Sequence, residues 1–251
     1  MQPTYLRFSG EGVFLELTNQ QEAYLAWPAH IHATVYNDTI IVLNEREDSF
    51  TFFDDDQTRF IRSVWGINIY EIDDVKKAEV TQLVASGLAI FSSNPNEPIS
   101  NDVKKSTGMV ESRWAVMDRG IKLEQIRAGY FLKASIYLRK AQKLSKSRKL
   151  SALLSGLRSK TPTSQRTSDA QLLLIALNVN FAMKFMLKNV QCLEFAYAVA
   201  RIAWESGLLC SFKIGVQIHP FISHAWIEGS NGVVMDRSAI PHELSTLVSI
   251  G

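Results

Sequence analysis

The sequence holds only two cysteines, Cys192 and Cys210, among 251 residues, and no Cys-x-x-Cys pair. That excludes a disulfide framework and a zinc site built on paired cysteines. Long apolar runs are equally scarce. The most apolar stretch, residues 170–187, is interrupted by Gln171, Asn178, Asn180 and Lys184. It predicts a buried helix rather than a membrane span, which needs about 20 mostly apolar residues. The opening MQPTYLRFSGEG has neither the basic flank nor the apolar core of a secretory signal. No Walker-type glycine loop is present, so no phosphate cradle is expected. His30 and His32 alternate as metal ligands do, but no nearby Cys or further His completes a zinc set, so no metal is expected. These absences predict a cytoplasmic protein with free thiols and no membrane association. What remains is ordinary globular composition, 46% hydrophobic and 21% charged, enough to fill a core.

Length exceeds the ~150 residues typical of one domain, and charge divides the chain. Residues 1–100 carry 6 Lys and Arg against 15 Asp and Glu, a net −9, whereas residues 101–251 carry 21 against 10, a net +11. The formal total of +2 hides this asymmetry, which predicts units with different surfaces. The crossing falls in SSNPNEPISNDVKKSTG, residues 92–108, where Pro95 and Pro98 remove backbone donors and Asn and Ser favour turns. The expected division is a domain over 1–92, a linker over 93–110 and a second domain over 111–251.

The acidic half reads as strands followed by helices. Residues 13–17 (VFLEL) are a short β-like run, and 39–43 (TIIVL) and 49–53 (SFTFF) flank a polar turn as a hairpin does. Asp54, Asp55 and Asp56 then supply capping oxygens and negative charge for a helix over 57–65 that Gly66 stops. Asp73 and Asp74 repeat the signal before a helix over 75–85, and 88–91 offers a further short strand. Residues 19–33 carry no decisive pattern.

In the basic half, Ile121, Ile126, Tyr130, Phe131, Ile136 and Leu138 recur near spacings of three and four, predicting helix over 114–144. Between Lys133 and Arg166 stand ten Lys or Arg and no acidic residue. Such a run is either a docking face for an acidic partner, anionic lipid or nucleic acid, or a solvated helix face and loop. No nucleic-acid module signature accompanies it, so nucleic acid is not expected as a partner. Ser168 or Asp169 caps a helix running to 188.

The last sixty residues carry the chemistry. Leu193, Ala196, Tyr197, Ala200, Ala203 and Trp204 fall at helical spacings and Gly207 is a natural stop, so Cys192 lies in a helical first turn. There, unpaired backbone N–H groups and the helix dipole favour a thiolate. On its own such a residue is usually a small buried hydrophobe, and Cys210 is read that way. Phe212, Ile214, Val216 and Ile218 alternate as a strand, residues 223–228 (SHAWIE) form another, and 233–236 (VVMD) return after a Gly-Ser-Asn-Gly turn. A helix-borne Cys192, a strand-borne His224 and Asp236 on the next strand give a nucleophile, a base and an orienting carboxylate in order. Side chains alternate along a strand, so His224 and Asp236 share a face only if paired residue numbers have an even sum. That predicts a three-residue loop Ser230-Asn231-Gly232 with glycine left-handed, or a bulge that restores parity. Trp226 and Glu228 share the face of His224: Trp226 is expected to wall the site, Glu228 to be solvated, and Gln191 to act as a structural cap.

At these residues the chain resembles a known family. Cys192 with LEFAYAVARI, then IGV, PF and HAWIE between Gly215 and Glu228, then NGVVMD from Asn231 to Asp236, look like the leader peptidases of lasso-peptide biosynthesis. These are the transglutaminase-like cysteine proteases of microcin J25-type pathways. The first 92 residues are similar to the PqqD-like recognition element that such proteins carry, fused or as a separate chain.

The resemblance implies an α+β chain: a small winged-helix-like, PqqD-like domain followed by a papain/transglutaminase-like cysteine protease domain. It implies that the first domain captures the leader of a ribosomally made precursor peptide as an added strand, against Ser49, Phe50, Thr51, Phe52 and Phe53 with Val75 and Leu83 on the neighbouring helix. Cys192, His224 and Asp236 would then cut leader from core. No cofactor is expected to bind directly; any ATP dependence would enter through a partner, the asparagine-synthetase-like lasso cyclase. Two alternatives stand beside this reading: an acyl transferase of the transglutaminase type, and a non-catalytic module that presents the precursor.

Overall fold

A computed structural model of the chain describes residues 4–5, 22–94, 107–109, 123–160, 166–185 and 189–251. It is a mixed helix-and-sheet protein in two compact units. One comprises Met1–Glu45 with Ser49–Lys105, the other Ser106–Gly251 with Arg46–Asp48.

In the first unit, β1 (Thr4–Tyr5), β3 (Ile31–Tyr36), β4 (Thr39–Asn44) and β5 (Ser49–Phe52) form a sheet in the order β1-β5-β4-β3, while β2 (Tyr24–Ala26) pairs with β6 (Ile90–Ser92) as a separate ribbon. Asn37 and Asp38, both at positive φ, turn β3 into β4 with Tyr36 opposite Thr39. Short polar side chains tolerate that left-handed backbone. The expected hairpin is present as β4 and β5, with Asn44 opposite Ser49. The 13–17 run lies outside the described residues, and the undecided 19–33 stretch contributes β2 and the start of β3.

Helix α1 (Asp55–Val64) begins where the acidic triplet predicts. Asp54 accepts the Gln57 N–H at 2.8 Å and Gln57 Oε1 accepts the Asp54 N–H at 3.1 Å, a reciprocal cap of the kind that contributes about 1 kcal/mol. Asp73 caps α2 (Asp74–Ala85) by accepting the Lys76 N–H at 2.9 Å, without a reciprocal bond. Leu25, Ile40, Val42, Phe53, Ile61, Val64 and Leu83 meet in one core, with Trp27 stacked on Trp65 at 4.3 Å.

In the second unit, α3 (Ala128–Lys146), α4 (Leu150–Arg158), α5 (Asp169–Lys184) and α6 (Cys192–Glu205) precede a sheet of β7 (Ser211–Gln217), β8 (Ile222–Gly229), β9 (Gly232–Val233) and, after the short α7 (Ile240–Glu243), β10 (Ser245–Ile250). The order is β10-β7-β8-β9. Helix α6 packs against α3, α5, β7 and β8. It is buried on every side from Glu194 to Trp204, charged Glu194 and Arg201 included. Of the expected helix over 114–144, residues 114–122 lie outside the described residues; a 3₁₀ turn spans Leu123–Gln125, α3 opens at Ala128, and its buried face is Ala134, Leu138, Ala141 and Gln142. Ile136 is 53% exposed on the opposite side, so spacing found the helix but assigned that residue to the wrong face. Residues 161–165, in the basic run, lie outside the described residues. Among the described residues no helix is long and apolar enough to cross a membrane.

Candidate active site

Cys192 opens α6 as its first residue, and Gln191 and Glu194 form a capping box around it, with Glu194 Oε2 accepting the Gln191 N–H at 2.8 Å. The thiol therefore stands where helical N–H groups point outward. His224 sits in the middle of β8, 3% exposed and opposite Gly215 of β7. The described geometry brings the three sequence-selected residues together. His224 Nε2 lies 2.8 Å from Asp236 Oδ2, and the Cys192 thiol is near enough to the same ring to raise its pKa. With Nε2 taken by the carboxylate, Nδ1 is the nitrogen left for sulfur. Asp236 Oδ1 accepts the Arg237 backbone N–H at 2.8 Å, so its carboxylate is held from both ends.

The hairpin carrying these groups departs from the expected loop. Glu228 pairs with Val233 and Gly229 with Gly232, an odd sum with only Ser230 and Asn231 between them. Uninterrupted, that register would turn Asp236 away from His224. The ladder instead ends after a bond from Val234 N–H to Ile227 O, and Met235 adopts φ +54°. This single left-handed residue restores parity and swings Asp236 onto the imidazole. The loop itself is held by Asp169 at the start of α5, whose carboxylate accepts the Ser230 N–H and Asn231 N–H at 2.9 Å and the Ser230 hydroxyl at 2.7 Å. Gly229 lies directly against that carboxylate, where a Cβ would collide with it.

Electrostatics follow from the contacts. Burial alone would depress the His224 pKa, but hydrogen bonds and charge from Asp236 and Cys192 outweigh it and raise the pKa from 6.5 to about 9. Cys210 is the opposite case: burial pushes its thiol up to about 12, and it is 3% exposed beneath Trp204. A stoichiometric alkylating agent at neutral pH is therefore expected to modify Cys192 alone in the folded protein. Peptide mapping of the labelled chain checks this, and equal labelling of Cys210 would contradict it.

Glu228 corrects the sequence reading. Rather than standing free in solvent, it accepts the Trp226 indole N–H at 2.8 Å and pairs with Lys213 Nζ at 2.5 Å, because Lys213, Trp226 and Glu228 project from one face of β7 and β8. Gln217, on that face too, is fully buried and exchanges hydrogen bonds with the Met109 backbone. Periodicity marks such residues only as inward-facing, not as partners.

The seven residues expected to contact a leader lie in the first unit. Phe52, Phe53 and Leu83 are buried, Phe53 and Leu83 in the core itself. Ser49, Phe50 and Thr51 are half-buried on β5, and Thr4–Tyr5 pair in parallel with Thr51 and Phe52. Val75 is 72% exposed and lines an open groove of about 930 Å³ between α1 and α2 to which no β5 residue contributes. His32, weighed as a metal ligand, lies 2.8 Å from Glu45 instead.

Residues 136–249 match the family model of the transglutaminase-like superfamily. The chain is 29% identical over 73 residues to the microcin J25-processing protein McjB of Escherichia coli, an alignment that covers 29% of this chain and 35% of that protein. The chain thus spans about a third of the length of the curated relative it matches. No solved structure matches it.

Proposed function

We propose that the chain is a cysteine peptidase that removes the leader from a ribosomally synthesised lasso-peptide precursor before macrolactam closure. The observation that carries the proposal is the joining of Cys192, His224 and Asp236 at one helix start, with the imidazole bonded to the carboxylate at 2.8 Å. The sulfur attacks the scissile carbonyl, and the proton shared with His224 passes to the departing amine as the C–N bond breaks. Water then adds to the thioester, giving its proton to His224, and the leader carboxylate leaves as the thiol is restored. Asp236 keeps the ring oriented and stabilises its charged form. The Cys192 backbone N–H donates to the developing oxyanion.

In this reading the acidic first unit is a PqqD-like capture domain. An extended leader adds to the outer edge of β5 through main-chain bonds, beside or in place of Thr4–Tyr5, which pair with Thr51 and Phe52. The partner that takes the core peptide onward is an asparagine-synthetase-like cyclase, which would also be the entry point for any ATP dependence.

The superfamily match keeps a second reading in view, transfer of the acyl group to an amine instead of water. Incubating precursor with the protein and reading intact masses decides. The peptidase yields leader and core whose masses sum to precursor plus one water; a transamidase yields joined chains with loss of ammonia. Unchanged precursor, with and without the cyclase, would leave only a presenting module.

A further inference from the structure

We propose that Trp226 is a positioning residue that fixes the plane of the His224 imidazole, and that Gly215, Lys213 and Glu228 are there to hold Trp226. This rests on the peptidase reading of the site. His224 and Trp226 are two apart on β8 and so share one face. Their rings are parallel to within 8°, with centroids 6.2 Å apart. The indole is 2% exposed and fixed at each end. Its N–H donates to Glu228 Oε1 at 2.8 Å, and Glu228 Oε2 is paired with Lys213 Nζ at 2.5 Å. Its six-membered ring lies over Gly215, where a Cβ would fall 2.8 Å from Cη2 and 2.9 Å from Cζ3. Ile222, Ile240, Leu244 and Met109 close the remaining sides.

The imidazole needs such a wall. Rotation about χ2 of histidine is broad and roughly two-fold, and one hydrogen bond from Nε2 leaves the ring free to tilt about it. Tilting moves Nδ1 off the thiol. A parallel indole locked by a charged pair removes that freedom, and lost alignment of reacting groups is costly, about 10²-fold for a displacement near 1 Å.

The test reads alkylation of Cys192 by iodoacetamide alongside kcat and KM for precursor cleavage, on full-length protein whose folding is checked by circular dichroism and Tm. Trp226→Leu is expected to lower both kcat and the alkylation rate by about 30- to 100-fold, with KM within about two-fold of the parent. Trp226→Phe, which keeps a flat ring, loses about 10-fold or less. Gly215→Ala alters none of the named side chains chemically but displaces the indole, and is expected to behave like Trp226→Leu. Glu228→Gln retains an acceptor for the indole N–H and is expected to lose less than Glu228→Leu. A folded Trp226→Leu with parent kcat and alkylation rate overturns the inference, as does a change confined to KM, which would make the indole a substrate wall. Failure of the peptidase reading looks different: Cys192 would then be alkylated quickly in the parent, while the precursor stays intact.

Discussion

Cys192→Ala protein leaves the precursor uncut, with the cleavage rate falling by at least about 10³-fold, because no other described group can form the acyl intermediate. Cys210 cannot substitute: its thiol is buried and held at a pKa of about 12, and it lies beneath Trp204. The imidazole and the carboxylate remain, but an imidazole with only water to activate lacks the covalent step that splits amide hydrolysis into two lower barriers. Since the first unit is proposed to hold the leader, precursor affinity is expected to stay within about two-fold of the parent, and the variant should trap the enzyme–precursor complex. Intact mass over time and a binding isotherm with labelled precursor measure the two halves. Parent-rate processing by Cys192→Ala removes the nucleophile assignment. Uncut precursor that also fails to bind shows that the substitution disturbed capture rather than chemistry.

The parts of this site readable in the sequence are those that depend on neighbours along the chain. The Asp54 and Asp73 caps, and Cys192 as the first helical residue, follow from short-range rules that tertiary context did not override. Alternation along β7 and β8 likewise gave the face of His224. What sequence alone could not supply depends on partners distant in the chain or on one backbone angle. Strand β6 overlaps the short strand expected at 88–91, but its partner β2 lies more than sixty positions upstream and, at three residues, is too short for a periodic signal. Strand β10 completes the sheet beside β7, but a register shift between Thr246 and Val248 breaks the alternation that would mark it. The left-handed Met235 is the instructive miss. The parity rule correctly required a break between His224 and Asp236, but nothing about a methionine marks it for positive φ. Glu228 teaches the complementary lesson: its place on the face was legible, while its role required knowing that Lys213 and the Trp226 indole meet it there. The charge split points to two units, and the fold has two compact units, in which Arg46–Asp48 group with Ser106–Gly251 rather than with the strands on either side of them.

Asp236→Asn moves the alkaline limit of activity downward. In the parent, the charged imidazole that protonates the leaving amine persists until pH approaches about 9, so kcat/KM is expected to fall above that pH. Burial favours the neutral ring and is opposed by the hydrogen bonds and charges of Asp236 and Cys192. Removing the carboxylate charge takes away one of the two opposing partners while burial stays, so the imidazole pKa drops and the limb shifts toward neutrality. The rate at its maximum also falls, by about 10²- to 10⁴-fold, since an amide can present its NH₂ to the ring and favour the wrong tautomer. Stability moves with the same sign. Because the folded His224 pKa lies above its ordinary 6.5, its contribution is fully present below about pH 6.5 and is lost as pH rises through about 9. The parent should therefore lose Tm between those limits, and Asp236→Asn should lose less over the same interval, starting from a lower Tm. Paired pH–rate profiles and melts at pH 6 and pH 9.5 test both statements. An unchanged alkaline limb in a folded Asp236→Asn protein means that Asp236 does not set the charge state of His224, and the triad reduces to a Cys192–His224 dyad.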